Sequence, residues 1–175
     1  MGPGQPTTFT YILLAEALRY PAPGRLQNLV AGLADFPSDS AKASLEGFLN
    51  KIDCLSLTEW EELYTRTLDL NPLAAPYIGF QVWGESYQRG VFLSKMAREM
   101  ATTGVDLEGE LPDHLIPVLR YLAMTSLPIP ELVEVIDPAL RRMLAVLRKA
   151  EPENPYIDLL EAVKESCKSL DEEAV

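Results

Sequence analysis

Histidine, cysteine and positive charge are all scarce in this sequence of 175 residues. Its one histidine is His114, and its two cysteines, Cys54 and Cys167, show neither CxxC nor any other metal-ligand spacing. Structural and catalytic zinc sites need several Cys or His ligands, so the composition excludes the metal sites that are rich in either. The two thiols predict no disulfide framework, and we expect both to be buried small hydrophobic residues in a reducing compartment.

Basic residues are outnumbered, with 15 Lys and Arg against 26 Asp and Glu and a net charge of −11 at pH 7. Proteins that bind nucleic acid concentrate positive charge against the phosphates, so this balance argues against a nucleic-acid partner. It also disfavours an anionic membrane surface. An acidic surface instead suits a partner segment that is basic.

Long apolar runs and targeting signals are missing as well. No stretch reaches the roughly 18 apolar residues of a membrane-spanning helix, so no stable membrane insertion is expected. The N-terminus has no basic region, and the apolar patch 11–17 is too short for a secretory signal. Pro6 stands where an N-myristoylation signal requires Ser or Thr. These features predict a cytoplasmic protein.

Helical periodicity, in contrast, runs through nearly the whole chain, while strand alternation is almost absent. A seam near the C-terminus alternates steps of four and three residues, at Tyr156, Leu160, Val163, Cys167 and Leu170. The pattern predicts an all-α, single-domain bundle of roughly eight to ten helices over residues 1–175, with frayed ends at 1–7 and 171–175. Helices are expected at about 8–20, 25–35, 39–53, 57–68, 74–84, 86–103, 112–126, 130–136, 138–150 and 154–170.

Capping residues support several of these helix ends. The segment Ser56–Glu59 has the sequence of a capping box, and Gly104 fits a C-terminal cap. Asp137-Pro138 predicts the start of a separate helix with the proline in its first turn. Pro112-Asp113 predicts another helix start, with the carboxylate near the positive end of the helix dipole.

Catalytic motifs are also lacking. The sequence contains no GxSxG, GxxxxGK[ST] or GxGxxG motif, so we expect no catalytic residues and no enzymatic turnover. The enzyme alternative is a metal-assisted hydrolase that uses Glu110, Asp113 and His114, which could act together from a helix start. The main hypothesis has no metal ligands.

Polar and aromatic residues concentrate in three segments, which we call the motif segments. The first, 64–72, reads Tyr-Thr-Arg-Thr-Leu-Asp-Leu-Asn-Pro and ends in a turn signal. The second, 83–90, reads Trp-Gly-Glu-Ser-Tyr-Gln-Arg-Gly and places Glu85 and Arg89 four residues apart, where they can pair on a helix. The third, 110–115, reads Glu-Leu-Pro-Asp-His-Leu.

Together with Gly104, Leu107 and the segment Asn154-Pro155-Tyr156, the motif segments resemble the NarJ branch of the NarJ/TorD/DmsD family of redox enzyme maturation chaperones. The resemblance covers about Tyr64 to Leu122 and, less closely, residues 154–163. It implies an all-helical chaperone that binds the N-terminal segment of the catalytic subunit of a molybdopterin oxidoreductase, often a twin-arginine signal or its vestige. It further implies that the chaperone holds this client for insertion of the molybdopterin guanine dinucleotide cofactor and binds no cofactor stoichiometrically itself.

The resemblance also implies a site in which an amphipathic client helix lies in a groove. The candidate peptide-binding residues are Tyr64, Trp83, Glu85, Tyr87, Arg89, Glu110, Pro112, Asp113 and His114. Aromatic rings would supply apolar anchors and carboxylates would meet basic client residues, although Phe80 and Trp83 share a helix face that also suits a core role. On this hypothesis Asp113→Ala and His114→Ala weaken client binding while melting stays near that of the wild type. A helical adaptor for a basic peptide unrelated to molybdoenzymes is the other alternative, and the expected state is a monomer or weak dimer.

Overall fold

The computed structural model describes residues 6–37, 39–70 and 72–173. These residues form nine α-helices and no β-strand, which confirms the predicted all-α bundle. The helices are α1 (Thr8–Ala17), α2 (Arg25–Leu33), α3 (Ser40–Asp53), α4 (Leu57–Tyr64), α5 (Ile78–Trp83), α6 (Tyr87–Thr103), α7 (Leu115–Met124), α8 (Pro130–Ala150) and α9 (Tyr156–Glu173). A short π-helical segment, Thr65–Asp69, continues α4.

The core is organised around α9, which packs against α1, α3 and α8. The predicted seam along α9 is buried at all five positions, Tyr156, Leu160, Val163, Cys167 and Leu170. The Trp60 indole donates a hydrogen bond to the buried Tyr156 hydroxyl over 3.1 Å, which gives both groups a polar partner inside the core. Helix α1 packs in turn on α7, and α5 packs on α8, so one hydrophobic cluster connects the bundle.

Two of the predicted helix ends have the expected capping geometry. The Ser56 hydroxyl accepts a hydrogen bond from Glu59 N over 3.1 Å, and the Glu59 carboxylate accepts one from Ser56 N over 2.7 Å. This capping box satisfies donors that the first turn of α4 would leave unpaired. Gly104 ends α6 in the left-handed conformation, with φ +78°, as a C-terminal glycine does.

Helix α8 is continuous, and the predicted break at Asp137-Pro138 was wrong. Its buried face runs across the proline, with Ile136 on one side and Ala139 on the other. Pro138 lacks the N–H that would bond to the Glu134 carbonyl, but both residues lie on the exposed side, where water can satisfy that carbonyl. Packing along the whole inner face therefore outweighs the local helix-breaking signal.

Two helices begin later than predicted, and the segments before them lie side by side. Helix α7 begins at Leu115, so Pro112 and Asp113 belong to the preceding loop and not to a first helical turn. Helix α5 begins at Ile78, because Pro76 disfavours a helical conformation in the residue before it. Ile78 N donates to the Asp113 carbonyl over 2.9 Å, and Leu115 N donates to the Pro76 carbonyl over 2.8 Å.

The segment before α9 is fixed by the buried Asn154. Its amide nitrogen donates to the Thr67 hydroxyl over 2.9 Å, and its amide oxygen accepts from Tyr156 N over 2.9 Å. Asn154 thus joins the π-helical segment to the start of α9. These bonds give Asn154-Pro155-Tyr156 a structural role in the fold.

The remaining predictions concern the chain ends and the cysteines. Helix α9 extends to Glu173, past its predicted end, while residues 1–5, 174 and 175 and Asn71 of the first motif segment lie outside the described residues. Cys167 is buried, as predicted, but Cys54 is exposed because it follows the last turn of α3. In the part of the chain that the structure describes, every helix is too short or too polar to cross a bilayer.

Candidate functional site

The second motif segment forms a tight corner that places Arg89 at the start of α6. Gly84 ends α5 with φ +63°, a backbone conformation that residues other than glycine rarely adopt. Ser86 then caps α6 by accepting a hydrogen bond from Arg89 N over 3.4 Å. The cap fixes Arg89 in the first turn of the helix, with its side chain directed into the protein.

Arg89 forms a buried ion pair with Asp113 of the third motif segment. Arg89 Nε donates to Asp113 Oδ2 over 2.9 Å, and Nη2 donates to Oδ1 over 3.3 Å, so the guanidinium engages both carboxylate oxygens. Asp113 is fully buried and Arg89 is 7% exposed. Two motif segments that are separate in sequence therefore meet at one pair of charges.

The rest of the guanidinium is surrounded by a carboxylate and two rings. Arg89 Nη1 donates to Glu85 Oε1 over 2.9 Å, which confirms the pairing predicted from their spacing of four residues. The Cζ atom lies 5.8 Å from the centre of the Tyr77 ring and 5.5 Å from that of Phe80, within the range of cation–π attraction. Burial alone would lower the pKa of Arg89, but the bonds to Asp113 and Glu85 hold it above its ordinary value.

Gly79 provides the space for this ion pair. A Cβ atom there would lie 2.8 Å from Asp113 Oδ2, 3.2 Å from the Phe92 ring and 3.3 Å from Arg89 Cγ. Asp113 cannot move away without losing its hydrogen bonds to Arg89. The close approach of α5 to the pair therefore requires glycine at this position.

Tyr77 connects the pair to Glu110 at the surface. Its hydroxyl donates to Glu110 Oε2 over 2.9 Å, and partial burial followed by this hydrogen bond raises the pKa of Tyr77 to about 12. The ring of His114 meets the Tyr77 ring edge-on, with 5.1 Å between centroids. Tyr77 thus stays a neutral donor at physiological pH and links the exposed Glu110 to the buried part of the site.

His114 is the N-cap of α7. Its Nδ1 accepts a hydrogen bond from Ile116 N over 3.1 Å, which requires that nitrogen to be unprotonated. Burial lowers the pKa of His114 below its usual 6.5, although the charges of Glu110 and Asp113 act in the opposite direction. The neutral imidazole is therefore the form that the structure stabilises.

Beside this site lies an apolar groove between α6 and α8, which encloses about 250 Å³. Its lining residues are Trp83, Tyr87, Gln88, Val91, Phe92, Lys95, Glu131, Glu134 and Val135. Trp83 is half-buried and packs on Phe92 with 5.3 Å between centroids, whereas Tyr87 is 85% exposed. The wall formed by α8 carries two carboxylates, of which Glu131 pairs with Lys95.

The structure separates the predicted site residues into three groups. Those that an incoming molecule can touch are Trp83, Glu85, Tyr87 and Glu110; those that are buried are Arg89, Pro112, Asp113 and His114. Tyr64 forms the third group, because it is half-buried in an aromatic cluster with ring-centroid distances of 5.3 Å to Tyr20 and 6.3 Å to Tyr156. Burial, followed by the charges of Asp69 and Glu110, raises the pKa of Tyr64 to about 12.

The burial of Asp113 corrects the predicted contact between its carboxylate and a client. Both oxygens are occupied by Arg89 and the side chain is fully buried, so Asp113 holds neighbouring residues in place and is out of reach of an incoming molecule. Asp113→Ala would leave a buried arginine without its partner, which typically costs about 3–5 kcal/mol of stability. The expectation of an unchanged melting temperature for this variant is therefore replaced by a marked decrease.

The geometry also differs from what the hydrolase alternative requires. Asp113 is committed to Arg89, and His114 Nδ1 to Ile116 N, so these side chains and Glu110 do not converge on a common point. Among the described residues, no group of three or more His, Cys, Asp or Glu side chains is placed to hold a metal ion.

The residues of the site and groove that were not predicted from the sequence include Tyr77, Gly79, Val91 and Val135. Nothing in the sequence distinguishes these residues from ordinary apolar or turn residues, because their role depends on contacts between segments far apart in the chain. Comparison of the sequence with protein-family models and with curated proteins finds no match to either. The interpretation of the site therefore depends on its geometry and on the resemblance of the motif segments.

Proposed function

We propose that this protein is an assembly chaperone that binds the N-terminal segment of the catalytic subunit of a molybdopterin oxidoreductase. It holds that client while the molybdopterin guanine dinucleotide cofactor is inserted. One observation carries the proposal: two of the three motif segments that resemble the NarJ branch meet at the pair Arg89–Asp113, directly beside the groove.

The groove offers apolar surface to one face of an amphipathic helix. Trp83, Val91 and Val135 present apolar surface, and Tyr87 adds a large exposed ring at its edge. Buried aromatic anchors contribute most of the binding energy in interfaces of this kind. A helix with apolar residues on one face can cover this surface by the helix-in-groove mode.

The charges around the groove favour a basic client segment. Glu134 lies on one wall, and Glu85 extends into solvent near Tyr87 with its side chain 81% exposed. The chain as a whole has a net charge of −11 at pH 7, so its electrostatic field attracts cations over longer distances. These carboxylates would steer the basic residues of the segment and orient it in the groove.

The buried residues of the site keep the contact residues in place. Arg89 holds Glu85 on its outer side and Asp113 on its inner side, and Tyr77 holds Glu110. Only the outer members of this network would touch the client. This division of roles assigns direct contact to the outer carboxylates Glu85 and Glu110, together with the aromatic residues Trp83 and Tyr87.

A comparison of two exposed valines tests the groove. Val91 on α6 lies in the groove and is 40% exposed, while Val146 on α8 is 48% exposed and is not among the groove residues. Val91→Asp should weaken binding of the client's N-terminal peptide about ten- to hundredfold, whereas Val146→Asp should leave it unchanged. Calorimetric titration measures both affinities, and thermal melts verify that both variants are folded.

The identity of the client needs a separate experiment. The tagged full-length chain should capture the catalytic subunit of a molybdopterin oxidoreductase, identified by mass spectrometry, and the Val91→Asp variant should not. Capture of an unrelated basic protein by the same groove would favour the adaptor alternative. Equal peptide affinities for the two valine variants would remove the groove from the proposal.

A further inference from the structure

The groove between α6 and α8 is lined by three charged side chains, two of which neutralise each other. Lys95 of α6 forms an ion pair with Glu131 of α8. Glu134, one helical turn further along α8, lines the groove as well. Its side chain is exposed and has no ion-pair partner among the described residues. Glu134 is therefore the carboxylate of the groove that can accept a cation from another molecule.

The ion pair makes Glu131 a poor acceptor for an incoming cation. The hydrogen bond from Lys95 lowers the pKa of Glu131, so this carboxylate is ionised and already has a cation beside it. A second cation that approached Glu131 would also approach the ammonium group of Lys95, and like charges repel each other. The position of Glu134 is thus the one at which the groove favours positive charge.

The apolar part of the groove has room for one large side chain. Its volume of about 250 Å³ equals the space that roughly eight water molecules fill, which is too small for a whole helix. Phe92 and Val135 are buried beneath it, and Trp83 and Val91 add apolar surface. A helix that lies across the groove can therefore place one apolar side chain, the anchor, into this space.

A basic residue near the anchor can reach Glu134. Residues three or four positions apart lie on the same face of a helix, so a basic residue at that spacing faces the groove together with the anchor. Tyr87, whose ring is 85% exposed, lines the same groove and offers an aromatic face to the cation. An acidic residue in this position would instead face the carboxylate of Glu134.

We propose that the groove recognises two features of the client segment together: a large apolar anchor and a Lys or Arg three or four positions from it, which pairs with Glu134. This inference rests on the proposed function and names the part of the client that the groove reads. It makes Glu134 a specificity-determining residue, because the same carboxylate attracts a basic residue and repels an acidic one.

The test uses three synthetic helical peptides of about 15 residues, the length at which isolated helices become marginally stable. Each carries leucines along one face and differs only four positions after the central leucine, where it has Lys, Gln or Glu. Calorimetric titration of the full-length chain should give affinities in the order Lys, Gln, Glu, with about a tenfold difference between the first and the last.

Charge reversal on the protein separates local recognition from the attraction of the whole acidic chain. Glu46 on α3 is exposed like Glu134 and likewise has no ion-pair partner among the described residues. Glu134→Lys and Glu46→Lys change the net charge equally, so they weaken the long-range attraction to a similar extent. Glu134→Lys should reverse the order of the three peptides, and Glu46→Lys should preserve it. Thermal melts verify that both variants are folded.

The Val91→Asp variant distinguishes failure of this inference from failure of the groove itself. If Val91→Asp weakens binding of all three peptides but Glu134→Lys leaves their order unchanged, the role of Glu134 is overturned and the groove remains the binding site. Reversal of the order by Glu46→Lys as well would also overturn that role, because overall charge would then explain the preference. Peptides that fail to bind the wild type, or bind Val91→Asp equally well, would overturn both.

Discussion

At the scale of single residues, Gly79 determines whether Arg89 and Asp113 can pair. Alanine at this position would bring its Cβ atom to 2.8 Å from Asp113 Oδ2. Gly90, in contrast, lies in α6 with open space at its Cβ position. The two glycines differ in surroundings but both belong to helices, which makes them a matched pair for mutation.

We predict that Gly79→Ala destabilises the protein by about 1–3 kcal/mol, because the crowded carboxylate must shift. Gly90→Ala should stabilise it by up to about 1 kcal/mol, because alanine favours the helix. Urea unfolding of both variants measures these changes. Equal stability of Gly79→Ala and Gly90→Ala would contradict the close packing of α5 on the ion pair.

A second prediction at this scale concerns His114 and pH. The unfolded side chain titrates near its usual pKa of 6.5, whereas burial lowers the pKa of His114 in the folded state. Between these two values the unfolded state binds more protons, so the free energy of unfolding decreases as the pH falls. The contribution of the neutral His114 to the free energy of unfolding is fully present above about pH 6.5 and is lost below it.

His114→Asn provides the control, because asparagine caps helices well and does not titrate in this range. Urea unfolding of both proteins at about pH 7.5 and pH 5 measures how much of its free energy of unfolding each protein loses on acidification. The wild type should lose more stability than the variant on acidification. Parallel losses in both proteins would show that His114 does not titrate as its burial indicates.

These residues also show where prediction from sequence succeeds and fails at a site. The pair Glu85–Arg89 follows from helical spacing, which places residues four apart on one face. The pair Arg89–Asp113 does not follow from any local rule, because it depends on the path of the loop between α6 and α7. Asp113 was therefore assigned to the surface of a helix when it is the buried partner of a guanidinium.

At the scale of elements, α8 contains two prolines in different positions. Pro130 is in the first turn, where its missing N–H has no partner to lose, while Pro138 is inside the helix. We predict that Pro138→Ala stabilises the protein by about 1–3 kcal/mol, because it restores a hydrogen bond to the Glu134 carbonyl. Pro130→Ala should have little effect and serves as the control.

Thermal melts of the two proline variants measure this difference. A loss of stability in Pro138→Ala would mean that the proline has a packing role that its exposure does not indicate. The break in α8 was predicted because Asp137-Pro138 has the local sequence of a helix start. The apolar face on both sides of it outweighed that signal, and only the packing of α8 against α5 and α9 shows this.

At the scale of the whole molecule, the bundle could be predicted because helical periodicity is a local property that many helices repeat. The seam of α9 was predicted from spacing alone, and all five of its positions are buried. The groove could not be predicted in this way, because it lies between two helices that are distant in the sequence. Lys95 of α6 and Glu131 of α8 face each other across it but are more than 35 residues apart in the chain. The residues that line such a surface follow ordinary helical spacing.

The two tryptophans of the chain make this difference between core and groove visible by fluorescence. Trp60 is enclosed in the core with its indole bonded to Tyr156, so its emission reports on global unfolding. Trp83 is half-buried on the groove wall against Phe92, so its emission responds to the polarity of whatever occupies the groove. The protein thus carries two natural optical reporters: an emission shift at constant secondary structure signals occupancy, and a shift accompanied by loss of helix signals denaturation.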